Sequence, residues 1–340
     1  MIRAPAPAAR GFVLPLTIWI LVAVAVVASF LAERVQKSLQ LAESRQLING
    51  LQVELSNARA ETLFRLGTQP ITPRGLGLGE STVALDNRPY AAGESVLQLQ
   101  DARGLLNLDR FSDVQLDRLL QGYGVAQEQR SRLIDALRDY IDADSLRRLN
   151  GAEAPEYSAA GKPPPRNAPL RMPPELRAVL GWADAPALWQ GVPVTEHLTV
   201  GNTAALNPNT AAAPVLMLLD GMTAALAQAL IERRRLEPVD VGLLDRMVGG
   251  GLLGIPSPVI AFPSDSVRVT QGAKGLPWAL RYNVTLTPRD DEVPWRITYF
   301  YRLERSIDAA TAAHPPEPAR LPPRPALVAP SALATPVRAF

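Results

Sequence analysis

The sequence has no cysteine and two histidines, His197 and His314, among its 340 residues. Without thiols it has no disulfide framework, no thiolate metal site and no cysteine nucleophile. Neither sign of charge dominates. The 35 basic and 33 acidic side chains leave a formal net charge of +2, which gives no reason to expect a polyanionic partner. Motifs that organise catalysis are missing as well. There is no G-x-S-x-G elbow and no H-E-x-x-H pair, and GLGLGE and VGGGLLG lack the lysine and hydroxyl of a phosphate loop, so both read as loops. His197 stands alone in TEHLTV, as core and surface histidines usually do. Nothing sets a base beside a nucleophile, so the chain is read as not an enzyme. Its length suits one large domain or two ordinary ones.

Charge is also absent locally. From Phe12 to Ala32 no side chain is charged, and about 20 helical residues are enough to cross a bilayer. The apolar core is longer than that of a secretory signal, and no clean small-x-small cut follows it. Arg3 and Arg10 precede the span and would hold the amino end in the cytoplasm. Beyond it, Val35, Leu39, Ile48, Leu51, Leu55 and Leu63 recur at mostly helical spacing with charges between them. One helix is expected from Phe12 to about Leu66, roughly 80 Å at 1.5 Å per residue, ended by Gly67 and Pro70. Pro15 is tolerable only in a first turn, where the N–H groups have no internal partner. That favours a mature chain beginning at Phe12, after a cut at Gly11; a plain uncleaved anchor is the alternative.

A basic leader ending in Gly11, then Phe12, an uncharged span and an amphipathic extension resemble the class III signal of type IV pilins and type II secretion pseudopilins. The resemblance implies that a prepilin peptidase cuts after Gly11 and that Phe12 becomes the methylated amino terminus. One position departs from the pattern. Most pilins carry Glu as the fifth mature residue, and here that position is Leu16. A carboxylate without a partner in the bilayer costs at least about 2.5–3.5 kcal/mol, so a subunit with no neighbour ahead of it gains from an apolar residue there.

Past the turn region Gly67 to Gly79, STVALDNRPY and ESVLQLQDARGLLNLD read as strands, as do SVRVTQ, ALRYNVTLTP and VPWRITYFYRLER near the end. Between them the pattern is helical in VQLDRLLQGYG, EQRSRLIDALRDYIDA, MPPELRAVLG, APALWQG, AAPVLMLLDG and AALAQALIERRRL. The order GLLNLDRF, LIDALRDYIDADSLRRLNGAEAPEYS, APLRMPPELRAVLGW and LNPNTAAAPVLMLLDGMTAALAQALIERR resembles the K family of type II secretion minor pseudopilins, over almost the whole chain. The expected fold class is α+β: a long N-terminal transmembrane and amphipathic helix, a pilin-like antiparallel sheet and a large inserted all-α domain. The expected divisions are a leader at 1–11 and a helix at 12–67, with 12–32 in the membrane. The sheet follows at 68–110 and 251–308, the helical insertion at 111–250, and a flexible Pro/Ala-rich tail at 309–340.

Two stretches are candidates for binding chemistry. Asp139, Asp142, Asp144, Glu153 and Glu156 form an acidic set at a helix end and the loop after it. Such a set is most often a solvated helix end, and no EF-hand spacing is present. The resemblance implies calcium, because members of the K family bind it in their helical domain. VLMLLDGMTAALAQALIERR resembles a helix-hairpin-helix, whose turn can hold a nucleic-acid phosphate. Asp220 in that turn would repel phosphate, and the Arg233–Arg235 run more often marks a solvated helix end. Packing of two short helices is favoured over nucleic-acid binding.

By resemblance, the chain would be a minor pseudopilin at the tip of the type II secretion pseudopilus. It would start and cap assembly with the I and J minor pseudopilins, with H adjoining, above the major pseudopilin, for export of folded proteins. It would be a single-pass bacterial inner-membrane protein with its C-terminal head in the periplasm. Leu39, Ile48, Leu51 and Leu55 are the expected partner-binding stripe. The rival readings are a membrane-anchored DNA-uptake protein and an anchored periplasmic enzyme.

Overall fold

A computed structural model describes residues 13–201, 203, 205–252, 259–274, 276–290, 292–304 and 318–323. The expected processing point, Gly11 and Phe12, lies outside them. The first helix, α1, runs Val13–Thr68, so Pro15 falls in its first turn, where a missing N–H costs little. The stretch Pro15–Ala42 has a mean hydropathy of 2.4 and is long and apolar enough to cross a membrane. Contrary to expectation, Gly67 does not end the helix, which continues through it to Thr68. Trp295 instead packs where a Cβ at Gly67 would point, with Cδ1 at 3.5 Å.

The chain divides into two compact units, Met1–Glu54 and Leu55–Phe340. In the first, the helix is exposed along its described side chains as far as Gly50, and Lys37 pairs with Glu33 one turn back at 2.6 Å. The second unit holds both the sheet and the helical excursion.

After α1 come a small hairpin, β1 (Ile71–Thr72) and β2 (Gly75–Leu76), then β3 (Asp86–Ala92) and β4 (Ser95–Asp101). The strand expected over STVALDNRPY begins only at Asp86, and Val83 makes just an isolated bridge to Leu76. The chain then leaves the sheet and returns as β7 (Ser266–Ala273), β8 (Trp278–Leu286) and β9 (Trp295–Glu304). Before that return lie β5 (Leu106–Asn107) and β6 (Leu198–Thr199), which pair in parallel, so the excursion is not purely helical. A last strand, β10 (Ala319–Arg320), completes a six-stranded sheet in the order β10-β3-β4-β7-β8-β9. All its pairings are antiparallel except β10 with β3. β4 and β7 are neighbours although the whole excursion separates them in sequence.

The two faces of this sheet differ. Leu97, Leu99, Val267, Val269, Tyr282 and Val284 pack with Leu63 and Leu66 of α1 into one core. Alternation along the strands puts Arg268, Thr270, Arg281 and Asn283, all buried, on the opposite face. There Arg281 grips Glu196 with both nitrogens, at 2.6 and 2.9 Å.

The helical core is separate and larger, built around Leu133, Leu137, Tyr157, Trp182, Leu216, Leu230 and Leu244. Its helices are α2 (Asp113–Gly122), α3 (Gln127–Ile141), α4 (Ala154–Ala159), α5 (Ala213–Leu216), α6 (Ala224–Leu236) and α7 (Val241–Val248). Ser112 caps α2 by accepting the Gln115 N–H, and the Gln115 side chain returns a bond to the Ser112 N–H. MPPELRAVLG and APALWQG were expected to be helices, but each opens on proline and makes only a short 3₁₀ stretch.

A buried carboxylate fastens sheet to excursion. Asp101, at the end of β4, accepts bonds from Arg103 N, Asn207 Nδ2, Thr210 Oγ1, and both the N and Oγ of Ser264. One side chain thus joins the point where the chain leaves the sheet, the LNPNT segment and the point of return.

Candidate functional site

The acidic set gathers where α3 runs out. Asp139 is fully buried on α3, and both its carboxylate oxygens accept the Arg148 N–H, at 3.2 and 3.1 Å. This bond folds the loop back over the helix end. It also demands glycine at position 151, because a Cβ there would lie 1.9 Å from Asp139 Oδ2. Asp142 caps the C-terminus of α3. Asp144 accepts the Leu146 N–H at 2.8 Å through its side chain and the Asn167 amide at 2.5 Å through its carbonyl. Glu153 precedes α4 and donates its N–H to Glu156 Oε2 at 2.9 Å, while Glu156 pairs with Arg147 at 3.3 Å.

Two oxygens in this group are buried without a hydrogen-bond partner: Asp142 Oδ1 and Glu153 Oε1. Burial raises the pKa of Glu153, and the charges of Asp139, Asp142, Asp144 and Glu156 raise it further. Asp142 is raised by burial first, then by Asp144 and Asp139. The neighbouring carboxylates thus act together on Glu153 and Asp142. Among the described residues, no three of them close into a finished cage for an ion. The donor set is all oxygen, the kind that hard divalent ions such as calcium favour, with Arg147 and Arg148 as its neighbouring cations.

The expected partner stripe is divided. Leu39 and Ile48 are exposed, at 57% and 43%, and Leu51 is half-buried. Leu55 is 2% exposed and belongs to the interior of its own unit. It is not available to a partner, and the stripe stops short of it. Periodicity alone marks both kinds of position alike, and Leu55 lacks any signal that would have separated it.

The hairpin-like turn is a packing device. Gly221 has a φ of +75°, and a Cβ there would come within 2.3 Å of the Val248 carbonyl, so α7 closes against the turn. Asp220 pairs with Arg118 of α2 at 2.6 Å. Of the three arginines, Arg234 turns inward, giving Nη1 to the carbonyls of Pro208 and Ala211. Arg235 pairs with Glu232 at 2.8 Å. The sequence reading had put the whole run in solvent; Arg234 instead ties α6 to the LNPNT segment. The side chains that hold the excursion to the sheet, Asp101, Glu196, Arg234 and Arg281, were not singled out from sequence as structural ties. Their partners are remote in the chain.

Residues 95–188 match the family model described as type II secretion system (T2SS), protein K. Type II secretion system protein K of Pectobacterium carotovorum subsp. carotovorum is 32% identical over 168 residues, 43% of this chain and 50% of that protein. The match thus spans half the length of that curated relative. A chain in the crystal structure of the GspK-GspI-GspJ complex from the enterotoxigenic Escherichia coli type 2 secretion system superposes with a TM-score of 0.51 at 17% identity. That likeness covers 77% of this chain and 99% of the other, and it shows a shared fold. Residues 95–188, which hold β4, α2, α3 and the acidic loop, are thus similar to the type II secretion system protein K family.

Proposed function

We propose that this chain is a minor pseudopilin that starts and caps the type II secretion pseudopilus together with the I and J minor pseudopilins. One observation carries the reading. A chain with an exposed apolar helix and a sheet opens between β4 and β7 to admit a helical body, and the K-family match covers the start of that body. Such a body is hard to fit beside close-packed neighbours along a shaft, and a filament end imposes no such restriction. The superposed fold comes from a complex named for GspK, GspI and GspJ, which makes the I and J proteins the first partners to test. H adjoining, a major pseudopilin below, an inner-membrane anchor and a periplasmic head belong to the same proposal. So do cleavage after Gly11 by the prepilin peptidase and methylation of Phe12. The role is assembly and geometry rather than catalysis. Nucleic-acid binding is the weaker alternative, because Asp220 keeps a carboxylate at the turn and Arg234 is committed to backbone carbonyls.

Calcium is the proposed ligand of the acidic loop, held by the partnerless oxygens of Asp142 and Glu153 with Asp144, and with Glu156 and Asp139 at its margin. Bound there, the ion would supply positive charge to the two oxygens that have no hydrogen-bond partner.

The partner assignment is tested by co-purification from membranes with tagged I and J proteins. The unmodified chain should be retained. Leu39→Glu with Ile48→Glu should reduce its recovery by at least about fivefold, because each places a charge on exposed apolar helix surface. Equal recovery of both chains would show that the stripe is not the contact, and loss of the unmodified chain would overturn the partnership.

A further inference from the structure

Part of the Pro/Ala-rich tail is built into the fold, although the sequence reading took all of it as flexible. β10 lies parallel to β3, with Ala319 opposite Tyr90 and Arg320 opposite Ala91. The Leu321 N–H then donates to the Ala91 carbonyl at 3.1 Å. Its side chain is partly buried against the core shared by the sheet and the end of α1. The Pro322 carbonyl accepts Nη1 of Arg65 at 3.0 Å, and Arg65 is itself buried and braced by Glu61 at 2.8 Å. Pro322 and Pro323 have no N–H, so the ladder stops there.

Every contact of this segment is one that a short peptide makes when it adds a strand to a sheet: a few backbone bonds, one apolar side chain and one capped carbonyl. The receiving edge is also short. Pro89 has no N–H to give, and the register of β3 against β4 shifts between Asp86 and Pro89, so a pairing strand finds a regular edge only from Tyr90 to Ala92. The tail reaches this edge from β9, which lies at the other side of the sheet. Two paired residues make a weak ladder, and its occupancy depends on the high local concentration that the tether provides.

We infer that the edge of β3, with Arg65 beside it, is a docking site for an extended Leu-Pro segment. The protein's own tail fills it through Ala319–Pro322, and the same segment supplied in trans can take the place of the tail. This site is independent of the pseudopilin reading and of the acidic loop.

The test uses a fluorescein-labelled peptide of residues 317–324 and the full chain in detergent, followed by anisotropy. Leu321→Asp, or a stop codon after Glu304, should vacate the edge, and both variants should bind the peptide at least tenfold more tightly than the unmodified chain. Adding Arg65→Ala to Leu321→Asp should weaken binding at least fivefold, and a peptide with Asp in place of its leucine should not bind. If the truncated chain folds poorly, Leu321→Asp alone decides the matter. Failure of the Leu321→Asp chain to bind, or equal binding by it and the unmodified chain, would overturn the inference.

Discussion

Glu196 shows how far single side chains decide this fold. Burial alone would raise its carboxyl pKa, but Arg281 and then Arg268 outweigh burial and hold it below the usual glutamate value. Burial and the nearby Arg281 lower the pKa of Arg268, while Arg281 is held further up by Glu196. A carboxylate with a lowered folded pKa adds stability that is present above the unfolded pKa, about 4.3, and drains away as pH falls through the folded value. Glu196→Gln should therefore cost about 3 kcal/mol at neutral pH, because two buried guanidinium groups lose their countercharge. It should cost progressively less below about pH 4. Urea unfolding of the two chains across pH 3–7 checks this, and a pH-independent difference would show that the ion pair does not set the stability. None of this was legible in the sequence. TEHLTV offers only a lone histidine, and Glu196 meets Arg281 only after the chain has crossed the excursion. Asp101 is silent for the same reason: Ser264, two of whose atoms bond it, lies 163 positions away.

At the scale of elements, the strong periods were readable. α2, α3 and α6 appear where apolar spacing placed them, and the strands of SVRVTQ, ALRYNVTLTP and VPWRITYFYRLER pair in sequence order. Short elements were harder to read. α7 was missed because its eight residues offer few periodic positions, although Asp240 caps it by accepting the Leu243 N–H and Gly249 closes it with a φ of 88°. The acidic loop was half-legible. Clustered carboxylates mark it, but the bond from Arg148 N to Asp139 that folds it, and the need for Gly151, follow only from the fold. The proposal for this loop is calcium binding. At a hundredfold excess over its Kd, calcium should add about 2.7 kcal/mol, a rise in Tm of about 4–5 °C for a unit of this size. Asp142→Ala with Asp144→Ala should abolish the rise while the chain stays folded. Differential scanning calorimetry with calcium and with chelator reads both, and an unchanged Tm would remove calcium from the account.

The whole molecule combines an exposed apolar helix with a compact unit in which sheet and helices share polar ties. Uncharged length made the helix legible, and the order of short motifs made the resemblance to the K family legible. Sequence did not show that sheet and helical excursion form one unit, because Asp101, Arg234 and Glu196 act across long separations. The reading as a processed minor pseudopilin is tested most directly by the intact mass of the protein purified from membranes, with and without an active prepilin peptidase. The account predicts a chain that begins at Phe12 and carries one added methyl group when the peptidase is active, and the full-length chain when it is not. A protein that keeps residues 1–11 in the presence of the active peptidase would contradict it.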